Sequence, residues 1–122
     1  MLSLNPDQLC AAYRLLRSLE PFVAWNLPHE QYIEFQIVRD PRVHGWHKYK
    51  VNSVGSLTTP IIAISENSCG HLQSVLFYTA HEMVHLAQSV NNTVTRSVHN
   101  KDFRMCAKLV CDSLGFDYKV FV

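Results

Sequence analysis

The stretch that most constrains the fold of this chain is the pentapeptide His81-Glu82-Met83-Val84-His85. Two imidazoles four residues apart on a helix stack one turn above the other and can grip a single Zn²⁺, while the glutamate beside the first can hold and deprotonate a water on that ion. The pattern therefore demands a helix through residues 81–85, a third ligand later in the chain, and a fourth coordination position left open. With seven histidines among 122 residues, such a string arises by accident in roughly two chains in a hundred. The bland alternative is an amphipathic helix whose histidines sit at the core edge without a metal, so the surrounding sequence has to supply the context.

The helix is supplied by periodicity. Leu72, Val75, Leu76, Thr79, Ala80, Met83, Val84 and Ala87 trace one wide apolar stripe, which predicts a helix from about Gly70 to Ser89 with Ser68 as a plausible N-cap. Asn91 and Asn92 break the pattern, Thr93 to Val98 reads as a loop, and a last helix is expected from about Lys101 to Leu114, capped by Gly115 and followed by a strand-like Phe116 to Val122. At the other end, Asn5-Pro6-Asp7-Gln8 carries the cap, first-turn proline and capping-box glutamine of a helix start, and Leu9, Ala12, Tyr13, Leu16 and Leu19 continue it to about Glu20, where Pro21 ends it.

Between these helices the period changes to two. Ile33, Phe35 and Ile37 alternate with Glu34 and Gln36 over Tyr32 to Arg39, a weaker strand signal runs Trp46 to Val51, turn residues follow at Asn52 to Gly55, and Ile61 to Ile64 form a third apolar run. The fold expected is α+β: a small antiparallel sheet of about three strands packed with an N-terminal helix, the HExxH helix and a C-terminal helix. Pro60 at the head of the third run favours an edge position for that strand. A chain of 122 residues fits one domain, residues 1–122, with a proper core.

Bulk properties exclude several classes. A formal charge of +1 does not bind nucleic acid by electrostatics alone, and no apolar run approaches the roughly 18 residues of a membrane span. Cys10, Cys69, Cys106 and Cys111 form no CxxC pair, and the N-terminus shows no leader pattern, so the thiols read as reduced residues of a cytoplasmic protein.

The third ligand emerges by elimination. Metzincin spacing requires Gly at 88 and His at 91, where this chain has Gln88 and Asn91, and no glutamate follows Glu82 to act as a gluzincin ligand. His99, with thirteen residues between it and His85, is the one histidine downstream, and a helix, a loop and a second helix can fold it back over the HExxH face. Asp102 is the competing oxygen ligand, expected instead to support or cap.

His81-Glu82-Met83-Val84-His85 followed by His99-Asn100-Lys101-Asp102-Phe103 resembles the SprT-like zinc metallopeptidases, whose pattern is HExxH and then a histidine opening an HGxxF or HGxxW segment. The resemblance implies a zincin-like fold, zinc on His81, His85 and His99, Glu82 as the catalytic base, and Phe103 as the aromatic that packs the last helix beneath the site. Asn100 replaces the family's glycine, although asparagine tolerates a left-handed backbone and caps helices well. The family's frequent C-terminal zinc ribbon has no counterpart, since Cys106 and Cys111 are wrongly spaced.

The function expected is zinc-dependent cleavage of a protein or peptide laid along the strand Pro60 to Ser65 by β-addition, with Tyr78, His71 and Arg104 as candidate stabilisers of the oxyanion. The alternative is a zinc-binding accessory module that holds a protein or DNA partner with little turnover. Nucleic-acid contact would use Arg39, Arg42, His44, His47, Lys48 and Lys50, with Trp46 and Tyr49 interleaved.

Overall fold

The computed structural model describes residues 4–68 and 70–122. Helix α1 spans Pro6–Arg17 and begins as its sequence dictates. The Asn5 side chain accepts from the Gln8 amide and the Gln8 side chain accepts from the Asn5 amide, both at 2.9 Å, so two amides that a helix leaves orphaned are satisfied reciprocally. The helix stops at Arg17, short of Glu20. There Ser18 and Leu19 donate their amides three residues back, to Leu15 and Leu16, and the Ser18 hydroxyl takes the Leu15 carbonyl as well, which tightens and closes the last turn.

The sheet consists of β1 (Glu34–Val38), β2 (Gly45–Val51) and β3 (Leu57–Ser65) in the order β1-β3-β2. It is mixed, with β1 parallel to β3 and β2 antiparallel to it, which corrects the all-antiparallel expectation. The reason lies in two connections. A tight hairpin joins β2 to β3, where Asn52 Oδ1 accepts from the amides of Val54 at 3.0 Å and Ser56 at 2.9 Å and Gly55 takes the left-handed conformation at φ 85°. Residues 39–44, by contrast, cross the end of β3, and Ser65 pins them: its amide donates to the His44 carbonyl at 2.8 Å and its hydroxyl to the Asp40 carbonyl at 3.0 Å.

β3 is thus the central strand, and the edge position expected for it is wrong. Ile61 to Ser65 is a run of buried residues, as a strand paired on both sides should be. Pro60 survives there because β1 pairs with β3 only from Ile61 onward, so on that side no partner asks for the missing amide hydrogen. Gly45, at the head of β2, lets the two strands meet closely, since a Cβ on it would lie 2.4 Å from the Ala63 carbonyl oxygen.

Helix α2 covers Leu72–Asn91, starts from His71 rather than Ser68, and ends with Asn92 in the left-handed conformation at φ 59°. Both α1 and α2 pack on the sheet. The core joins Tyr13 and Leu16 of α1, Ile62 of β3, Met83, Val84 and Leu86 of α2, and Phe103, Ala107 and Val110 of α3, which spans Lys101–Leu114 and is capped by Gly115 at φ 78°. The segment expected to be strand-like, Phe116 to Val122, instead contains a short helix, α4 (Tyr118–Phe121), because Asp117 caps it by accepting the Lys119 amide at 2.9 Å and Phe121 is buried against Phe77 and Phe116. One buried aromatic and one cap outweigh the strand preference of the alternating pattern. Cys10, Cys106 and Cys111 are free thiols, and Cys69 lies outside the described residues. No helix among the described residues is long and apolar enough to cross a membrane.

Candidate metal centre

Two segments assemble the site. His81 and His85 share one face of α2, and His99 sits just ahead of α3, so that one nitrogen from each imidazole lies within 4.8 Å of the others. The three ring centroids are 5.0 to 5.2 Å apart. The sequence-predicted ligands are therefore brought together, and these three histidines can form a metal site.

His81 is oriented by a backbone group far along the chain. Its Nδ1 lies 2.7 Å from the Phe121 carbonyl oxygen; a carbonyl only accepts, so Nδ1 carries the proton and the Nε2 lone pair is left for the cleft. That lone pair meets His85 Nε2 at 3.3 Å. Burial pushes the His81 pKa down to about 4 and that of His85 to about 3, so both rings are neutral at physiological pH, the form in which imidazole ligates metals. Phe103 lies beneath them, with its ring centroid 4.5 Å from those of both His85 and His99.

His99 is set by the network that starts α3. Asn100 Oδ1 accepts from the Phe103 amide at 2.8 Å, and Asn100 Nδ2 donates to the Thr93 carbonyl and the Thr95 hydroxyl, both at 3.0 Å. Gln88, 3 % exposed, donates through Nε2 to Asn100 Oδ1 at 2.9 Å and Asp102 Oδ2 at 3.0 Å, tying the loop to α2. Asp102 is thus occupied in support and stands outside the three-histidine group. Asn100 acts as an extended N-cap, at φ −71° and ψ −177°, so no left-handed residue is needed where the SprT-like pattern has glycine. Arg104 donates to the His99 carbonyl at 3.2 Å and holds the backbone there.

Glu82 lines the same cleft and is 5 % exposed. Burial raises its carboxyl pKa to about 8, which suits a group that exchanges protons near neutrality. The cleft measures about 580 Å³ and is lined also by the start of β2 and by Tyr78 of α2, whose ring stacks on His44 at 4.5 Å. Of the candidate oxyanion groups, Tyr78 lines the cleft; His71 is the N-cap of α2 and Arg104 is engaged with the His99 carbonyl.

No family model matches this chain, and no curated protein or solved structure does so either.

The structure divides the basic set expected to touch nucleic acid. Arg39 pairs with Glu66 at 2.9 Å, Arg42 with Asp40 at 3.0 Å and Lys50 with Glu34 at 2.7 Å, while Lys48 sits 4.2 Å from the Trp46 ring centroid. His44 and His47 face the cleft instead. His47 lies within 3.1 Å of the Ile61 carbonyl and 3.3 Å of the Ser89 hydroxyl, bridging β2 to α2. Sequence reasoning missed His44, His47 and Gln88 as site residues. Gln88 was within reach, since positions 81, 85 and 88 share one helical face; the two histidines needed the sheet order, and the Phe121 carbonyl carries no sequence signal at all.

Proposed function

We propose that this chain is a zinc-dependent endopeptidase of zincin-like, SprT-like type, with His81, His85 and His99 holding the metal and Glu82 acting as catalytic base. The observation that carries the reading is the convergence of His81 Nε2 and His85 Nε2 at 3.3 Å. Two nitrogens at zinc-ligand bond lengths in a tetrahedral site stand about 3.3 Å apart, so the pair is set at zinc-ligand spacing, and an all-imidazole set suits zinc. A closed structural site would use a fourth side chain; among the described residues the group has three, and a buried carboxyl stands beside it in an open cleft.

Zinc bound there would polarise a peptide carbonyl and acidify water at its open position. The residues of the chain do the rest. Glu82, one residue from the first ligand, takes a proton from the attacking water and returns it to the leaving amine. The Phe121 carbonyl keeps His81 in the ligating tautomer, and the Gln88–Asn100 network keeps His99 over the cleft. The peptide cannot add along Pro60–Ser65, because Ile61–Ile64 is paired on both sides; the edge beside the cleft belongs to β2, and an extended peptide is proposed to lie along it. A buried carboxyl in the same cleft as the three histidines favours turnover over the accessory-module alternative.

The test compares zinc-loaded protein with its Glu82→Gln variant on an unfolded protein substrate. Cleavage should fall at least a hundredfold while zinc content, read by native mass spectrometry, stays at one ion per chain. Cleavage indifferent to the substitution would sink the assignment.

A further inference from the structure

Resting on the peptidase reading above, we propose that the cleft selects peptides carrying uncharged apolar side chains at the positions flanking the scissile bond, and that Val94, Val98 and Val120 read them. These valines come from two separate places, the 93–98 loop and α4, yet all three line the cleft. They are also 55 %, 62 % and 64 % exposed. A single exposed valine needs no explanation, whereas three that converge on one concave site form an apolar rim of the kind that marks a binding surface.

The charge pattern points the same way. Among the described residues lining the cleft, Glu82 is the one acid and there is no lysine or arginine. Lys48 approaches the Trp46 ring but is not part of the lining. The three valines themselves offer no counter-charge, so a lysine or aspartate side chain seated against them would lose hydration, a cost that an apolar side chain avoids. The occupant is an extended peptide because β2, with Trp46 facing the cleft, pairs with β3 on one side and leaves its other edge to the site.

Two measurements test the proposal. Zinc-loaded protein is given a mixed peptide digest and the cleaved bonds are mapped by mass spectrometry; apolar residues should flank them about tenfold more often than Asp, Glu, Lys or Arg. Separately, calorimetry measures binding of zinc-loaded Glu82→Gln protein to a Val- and Leu-rich decapeptide and to the same peptide with central Asp or Lys. The apolar peptide should bind about tenfold tighter, and Val94→Asp or Val98→Asp, substitutions at exposed positions whose fold is checked by circular dichroism, should remove that preference. Cleavage without flanking preference, together with equal binding of the peptides, overturns the rim and leaves the hydrolase. Selective binding without cleavage keeps the rim and removes the hydrolase. Absence of both cleavage and binding overturns the rim and the hydrolase together.

Discussion

His81 shows how one residue's chemistry is decided by its surroundings. A hydrogen bond to the Phe121 carbonyl chooses its tautomer, and burial lowers its pKa to about 4, with that of His85 at about 3. In the unfolded chain both rings take up protons near the free value of about 6.5. The unfolded state therefore binds more protons below that pH, and the stability contributed by folding these rings neutral, complete above pH 6.5, is lost as pH falls toward 4. Glu82 acts in the opposite sense: its pKa is raised to about 8, so its contribution is present at low pH and lost as pH rises from about 4.5 through 8. Glu82→Gln removes this second contribution. Urea denaturation of metal-free Glu82→Gln protein should show an unfolding free energy that falls from about pH 6.5 to 4.5, by on the order of 1 kcal/mol per pH unit for each imidazole before solvent screening. A flat profile would mean that the rings are hydrated and that burial does not hold them neutral.

At the scale of elements, the site depends on where helices begin and strands meet. Asn100 caps α3, anchors the preceding loop to Thr93 and Thr95, and accepts from Gln88. Asn100→Ala should cost about 1 kcal/mol as a lost cap and weaken zinc binding between about tenfold and a hundredfold through a looser His99, read by chelator competition with helix content unchanged. Gly45 serves β2 in a different way. Gly45→Ala would drive a methyl to 2.4 Å from the Ala63 carbonyl, so β2 must move away from β3 at the point where it walls the cleft, at about 1–3 kcal/mol; a melting temperature equal to wild type would show that the strands part without strain. The helices were legible because a 3.6-residue period is a local signal, as are the Asn5 cap of α1 and the Gly115 cap of α3, although α2 starts from His71 and not from Ser68. The sheet was legible only as three strands. Which strand lies in the middle depends on how residues 39–44 cross the end of β3, and nothing in the alternation of Ile33, Phe35 and Ile37 encodes that.

Across the whole molecule, histidines from α2 and the start of α3 and a carbonyl 40 residues from His81 meet in one place, so the proposed metal binding would report on the fold as a unit. An ion that binds the folded chain alone stabilises it by about 2.7 kcal/mol at a hundredfold excess over its dissociation constant. Zinc should accordingly raise the melting temperature by roughly 10 °C, reversibly on chelation, and His99→Ala should abolish most of that rise while leaving the metal-free melt near wild type. A rise unaffected by His99→Ala would move the ion elsewhere. The sequence by itself determined the helix that carries His81, Glu82 and His85, and by elimination its partner His99, since ligand type and helical spacing are properties of neighbouring residues. The tertiary structure alone decided that β3 is central, that β2 borders the cleft, that the Phe121 carbonyl orients His81 while Gln88 ties the His99 loop to α2, and that Val94, Val98 and Val120 line one cleft. Those contacts join residues distant in sequence, and their partners are chosen by packing, which no local pattern records.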